Sequence, residues 1–130
     1  MGQVDPLSED AIKSVLEGWL MRSGWTAVRV ARARAPGVDV EALRGTERWL
    51  IEVKGHGSLS AMRVNYFLGA LGELLQRMDD PAARYSICLP DLPQFRSLWE
   101  RLPSLAKERL TLTALFVSDV GEVRYSVPGS

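Results

Sequence analysis

Hydrophobic side chains recur along this chain at two different periods, and the switches between them divide it into elements. Apolar residues fall at Ile12, Val15, Leu16, Trp19 and Leu20, the three-to-four spacing of a helix with one buried stripe. Ser8 stands ahead of them as an N-cap, Glu9 and Asp10 suit the positive end of the helix dipole, and Gly24 stops the helix. The period then drops to two. Trp25 to Ala33 reads as a first strand, but Val28 and Val30 share their parity with Arg32 and Arg34, so this strand is bulged or leaves the sheet near Ala31. Val38, Val40 and Ala42 next alternate with Asp39, Glu41 and Leu43. After Arg44-Gly45-Thr46-Glu47, Trp49, Ile51 and Val53 alternate with Leu50, Glu52 and Lys54. Two such arms around Gly45-Thr46 make a hairpin, with Gly45 supplying positive φ at the first central position.

Gly55-His56-Gly57 is the exit from that hairpin. Ser58 or Ser60 caps a second helix running to about Met78, with Met62, Phe67, Leu71, Leu74, Leu75 and Met78 on its buried stripe. Asp79-Asp80-Pro81 ends it, and Arg84 to Leu89 is a strand closed by Pro90. Pro93 to Leu102 is helical, Pro103 breaks the pattern before Ser104 to Leu110, Thr111 to Ser118 is a strand, and residues 119–122 turn it toward Val123 to Val127. There are no repeats and no low-complexity segments. The order predicts a mixed α/β layer with helices against a central sheet.

The hairpin carries the chemistry. A register symmetric about Gly45-Thr46 sets Arg44 opposite Glu47 and therefore Asp39 opposite Glu52. Strand side chains alternate faces, so Asp39, Glu52 and Lys54 emerge together, while Val38, Val40, Ala42, Trp49, Ile51 and Val53 line the other side. Opposed residues have Cβ atoms roughly 5 Å apart, and two carboxylates at that separation repel unless a cation lies between them. A divalent metal answers that need, Mg²⁺ being satisfied by one or two carboxylates with water and substrate phosphate. A lysine on the same face can hold or deprotonate a metal-bound water and steady a phosphate oxygen. Phosphodiester hydrolysis uses such a set. The competing reading is an ordinary hairpin with solvated charges on its outer face.

Composition sharpens this only in places. At 130 residues one domain suffices, and it can bury about two-thirds of its unfolded surface. Sixteen basic residues balance sixteen acidic ones, which excludes a generally basic coat, so contact with nucleic acid must be a local patch. Arg29, Arg32 and Arg34, just before the carboxylate pair, offer a phosphate-binding rim or else a solvated edge. His56 is the only histidine, which excludes a His-rich metal site and leaves it as a general-base candidate or a plain loop residue. Cys88, in an apolar run, reads as a buried reduced thiol. With an acidic, polar N-terminus and no apolar run near the ~20 residues needed to span a bilayer, the chain is expected in the cytoplasm and away from membranes.

Gly37-Val38-Asp39, the turn segment Val40 to Trp49, and Leu50-Ile51-Glu52-Val53-Lys54-Gly55 together resemble the core of the PD-(D/E)XK nuclease superfamily, which includes restriction endonucleases, archaeal Holliday-junction resolvases and Mrr-type enzymes. One departure is plain: the proline stands at 36 and not immediately before the aspartate. The resemblance implies a restriction-endonuclease-like αβββαβ core over about residues 8–90, with a C-terminal helix and strand addition, in a single domain spanning residues 1–130. It implies Asp39 and Glu52 as metal ligands, the Val53 carbonyl as a further ligand, Lys54 as the catalytic lysine, Mg²⁺ or Mn²⁺ as cofactor, and DNA before RNA as substrate. Similar nucleases often bring an acidic residue of the first helix toward the metal, which makes Glu17, or Glu9 at the helix start, an accessory candidate with His56. The bland alternative for Glu17 is a solvated pair with Lys13. The helix after the lysine strand often approaches substrate, which points to Arg63 and Gln76. A catalytically silent nucleic-acid-binding or protein-interaction module on the same fold is the alternative function, and a homodimer stays open. Nothing resembles a separate DNA-reading module, which favours structure-directed or non-specific cleavage over site-specific restriction.

Overall fold

Ser8 caps the first helix as its sequence suggests: its backbone is extended and its Oγ accepts from the Ala11 N–H at 3.2 Å, opening α1 (Glu9–Arg22). The computed structural model describes residues 5–32, 37–57 and 60–126. The first strand is short. β1 (Ala27–Val30) ends where the parity argument placed its departure, and the Ala31 N–H turns to the Asp39 carbonyl at 2.8 Å. Arg34 lies outside the described residues, as do Ser58 and Val127.

β2 (Val40–Arg44) and β3 (Glu47–Val53) pair antiparallel from Arg44↔Glu47 to Val40↔Ile51. Gly45 has φ +59° while Thr46 does not have positive φ, the signature of a turn with glycine at its first central position. The register is the one the hairpin pattern predicts, and one further step sets Asp39 against Glu52.

The chain continues through α2 (Ser60–Gln76), β4 (Arg84–Pro90), α3 (Pro93–Glu100), α4 (Ser104–Leu110), β5 (Leu112–Val117) and β6 (Val123–Ser126). All six strands form one mixed sheet in the order β1-β2-β3-β4-β5-β6, parallel across β3-β4-β5 and antiparallel elsewhere. The C-terminal addition thus extends the same sheet, and β5 is buried along its whole length.

Parallel strands need cover on both faces, and the sheet has it. On one face α1 seals Val40, Ala42, Trp49, Ile51, Val53, Cys88, Leu115 and Val117 under Ile12, Leu16 and Leu20. On the other, Phe67, Ala70 and Leu74 of α2 and Phe95 and Trp99 of α3 cover Leu50, Tyr85, Ile87, Leu89, Ala114 and Phe116. Two expectations need correcting. Val38 packs in this second core and not with Val40, because it lies before β2 begins, after Gly37 at φ +100°, where strand alternation does not apply. Leu75 is exposed, and Ala70 occupies the buried stripe of α2. Cys88 is a buried free thiol whose pKa burial drives upward, as expected of an inert one.

Candidate active site

Asp39 sits one residue before β2, where the hairpin ladder stops, so its side chain can take over from backbone pairing. Its Oδ2 accepts the Val53 N–H at 2.8 Å. The Lys54 N–H donates to the Cys88 carbonyl at 3.1 Å, so the polar groups of Val53 face away from β4. In a strand both backbone groups of one residue point to the same neighbour. The Val53 carbonyl therefore turns the same way as its N–H, toward the carboxyl pair.

Glu52 shares the face of Leu50 and is 1% exposed, on the side of the sheet that α2 covers. Its Oε1 accepts from Arg77 Nε at 3.0 Å, and its carboxyl is hydrogen-bonded to Asp39. Burial first, then the hydrogen bond and charge of Asp39, push its pKa up to about 8, with Arg77 opposing and the charge of Glu73 adding. Glu52 therefore resists ionisation far more than a carboxyl in water.

Lys54 extends from the end of β3 on the Glu52 parity. It is 23% exposed, and its Nζ stands 3.9 Å from Glu73 of α2. Beyond it opens a cleft of about 450 Å³ lined by Asp5, Ser8, Glu9, Lys54, Gly55, His56, Gly57 and Tyr66. His56 is tied on both ring nitrogens, Nδ1 to the Gly57 carbonyl and Nε2 to Asp5 Oδ2, each at 2.5 Å. Neither nitrogen is left to take a proton from water, which removes the geometric case for His56 as a general base.

The remaining candidates separate. Arg29 and Gln76 come together in a groove of about 320 Å³ with Arg48, Arg77, Glu41, Leu50 and Asp79, beside Glu52. Arg32 lies against α1, its guanidinium 3.9 Å from Glu17 and 3.5 Å from the Asp10 carbonyl. Arg63 holds the loop after β3, donating to the His56 carbonyl at 3.0 Å and to Gln94 at 3.4 Å. Glu17 pairs with Arg32, and the solvated Lys13/Glu17 pair does not form. Lys13 is buried, with Glu9 at 3.1 Å and Asp39 Oδ1 at 3.5 Å. Lys13 and Arg77 are site neighbours that no local sequence pattern connects to the carboxyl pair. The one signal for Lys13 is its position four residues after Glu9; Arg77 has none beyond its place just after α2.

Among the described residues no group of three or more His, Cys, Asp or Glu is placed to hold a metal ion. The donors at hand are two carboxyl groups and a backbone carbonyl. Such hard oxygen donors suit a cation that keeps several waters, which is the habit of Mg²⁺. A divalent cation between Asp39 and Glu52 would relieve the repulsion that two ionised carboxylates have at this separation.

The fold and the site define a mixed α/β protein whose paired acidic groups and lysine gather at one end of a six-stranded sheet. Solved structures share this fold, and two of them are similar to the chain over most of its length. One is an XisH family protein from Nostoc punctiforme, with TM-score 0.61 and 17% identity, over 88% of this chain and 98% of that one. The other is an FdxN element excision controlling factor protein from Anabaena variabilis, with TM-score 0.62 and 18% identity, over 90% of this chain and 98% of that one. No protein-family model and no curated protein sequence matches the chain. No helix among the described residues is long and apolar enough to cross a membrane.

Proposed function

We propose that this chain is a metal-dependent nuclease that hydrolyses phosphodiester bonds, in DNA before RNA, with Asp39, Glu52 and the Val53 carbonyl holding Mg²⁺ or Mn²⁺ and Lys54 beside them. The carrying observation is the hairpin register, which sets Asp39, one residue before β2, against the buried Glu52, with Asp39 Oδ2 accepting the Val53 N–H at 2.8 Å. Bound there, the cation would supply an acidified water and neutralise phosphate charge. Lys54, at the mouth of the cleft, orients that water and meets the charge that develops on the phosphate. The groove of Arg29, Arg48 and Arg77 offers guanidinium groups to neighbouring phosphates. The name of the Anabaena structure, an element excision controlling factor, points toward DNA as well.

One observation favours a second reading, a silent nucleic-acid-binding or protein-interaction module. Lys13 and Arg77 already lie against the carboxyl pair and offset its charge without metal. A panel of supercoiled plasmid, branched duplex, single-stranded DNA and RNA decides between them. The nuclease reading expects cleavage of at least one substrate in Mg²⁺ or Mn²⁺ and none in Ca²⁺ or chelator. Lys54→Ala is expected to abolish cleavage while leaving affinity in Ca²⁺ within several-fold, because a transition-state contact affects turnover more than binding. Binding of DNA with no cleavage in any metal would establish the silent module.

A further inference from the structure

The Lys13 side chain is 1% exposed, and its ammonium is surrounded by oxygens. It donates to the Ala31 carbonyl at 2.8 Å and pairs with Glu9 Oε2 at 3.1 Å and Asp39 Oδ1 at 3.5 Å. A backbone carbonyl and two carboxylates around one point are the donors a hard divalent cation takes. Here a lysine fills the place. A pair with Glu9 alone, four residues away on α1, would form equally well with the ammonium in water. The cost of burying it is offset by the Ala31 carbonyl and the Glu9 and Asp39 carboxyl groups together. Three separate elements meet there: α1, the chain leaving β1, and the residue before β2.

Asp39 faces two sets of groups. Its Oδ1 faces Lys13, its Oδ2 takes the Val53 N–H, and its carboxyl touches Glu52. Two-metal phosphodiesterases use ions about 3.5–4 Å apart that share a carboxylate between them. We propose that Lys13 is a built-in substitute for a second metal ion, so that this centre takes one divalent cation and not two. The inference rests on the reading of Asp39 and Glu52 as a metal centre. Lys13 is a positioning residue: it orients Asp39, places a positive charge beside it, and has no contact with the phosphate.

Counting bound Mn²⁺ by the loss of its free-ion resonance signal, with Mn²⁺ alone added to the full chain, tests this without substrate. The wild type is expected to bind one ion and Asp39→Asn none. Lys13→Met, which opens the oxygen nest, is expected to bind two, and Lys13→Met combined with Glu9→Gln to return to one. Lys13→Arg, which keeps the charge, should stay at one. Two ions on the wild type, or one on a folded Lys13→Met variant, would overturn the substitute role while leaving the metal centre standing. No ion on the wild type would remove the metal centre and this inference with it. Should Lys13→Met fail to melt cooperatively, Lys13→Gln, which removes the charge and keeps a polar tip among the oxygens, is counted in its place: two ions are expected, and one would overturn the substitute role.

Discussion

Glu52 is where the physical chemistry of this chain is most exposed to test. A carboxyl whose folded pKa is raised destabilises the fold above its unfolded pKa, here about 4.5. The penalty grows as pH rises through that value toward about 8 and disappears once pH falls below it. Glu52→Gln cannot ionise and keeps an acceptor for Arg77. In chelator the variant is expected to be more stable than the wild type at pH 8, on the order of a few kcal/mol, with the advantage gone near pH 4. Urea melts at the two pH values measure it, and a variant weaker than the wild type at pH 8 would mean that Glu52 is charged and well paired in the fold. The Asp39–Glu52 pair was legible because a two-residue turn and strict alternation fix a hairpin register. Lys13 and Arg77 were not, since their partners come from elements that no local pattern connects to them. His56 illustrates the converse: its type suggested a proton carrier, and only its two tethers show that both nitrogens are engaged.

At the scale of elements, the site depends on α1 lying against the end of β3. Gly55 makes that approach close: a Cβ there would stand 2.6 Å from the Glu9 backbone nitrogen and 3.1 Å from the Leu7 carbonyl. The His56 N–H fastens the same contact by donating to the Leu7 carbonyl at 3.1 Å. Gly55→Ala must push the start of α1 away, and overpacking of this kind costs about 1–3 kcal/mol. A fall in Tm of several degrees is expected. Gly69→Ala is the control, since a Cβ on that helical residue meets nothing within 4 Å, and removing a helix glycine should raise stability by about 0.5–1 kcal/mol. Equal melting of the two variants would show that α1 does not bear on the β3 exit. Helix caps, turn and strand parity were readable from sequence because each is set by neighbours within a few residues. The position of β5 beside β4 was not, because periodicity states which face of a strand is buried and not which strand lies next to it.

For the molecule as a whole, a net charge of zero means that affinity for nucleic acid must come from few groups. Arg29 is half exposed and only loosely held, 3.7 Å from Glu41, in the groove beside Glu52. Arg29→Ala is expected to flatten the slope of log affinity against log salt by about one unit, and an unchanged slope in filter binding would remove that groove from the path of the nucleic acid. The central claim is narrower: the proton on the Asp39–Glu52 pair gives way to a divalent cation. Metal binding to a protonated ligand must release that proton. Calorimetric titration of Mg²⁺ or Mn²⁺ at pH 7, in buffers of different ionisation heat, measures the release directly. With Glu52 at about 8, close to one proton per bound ion is expected at pH 7, falling well below one at pH 9; binding with no proton release at pH 7, or no binding at all, would contradict the account.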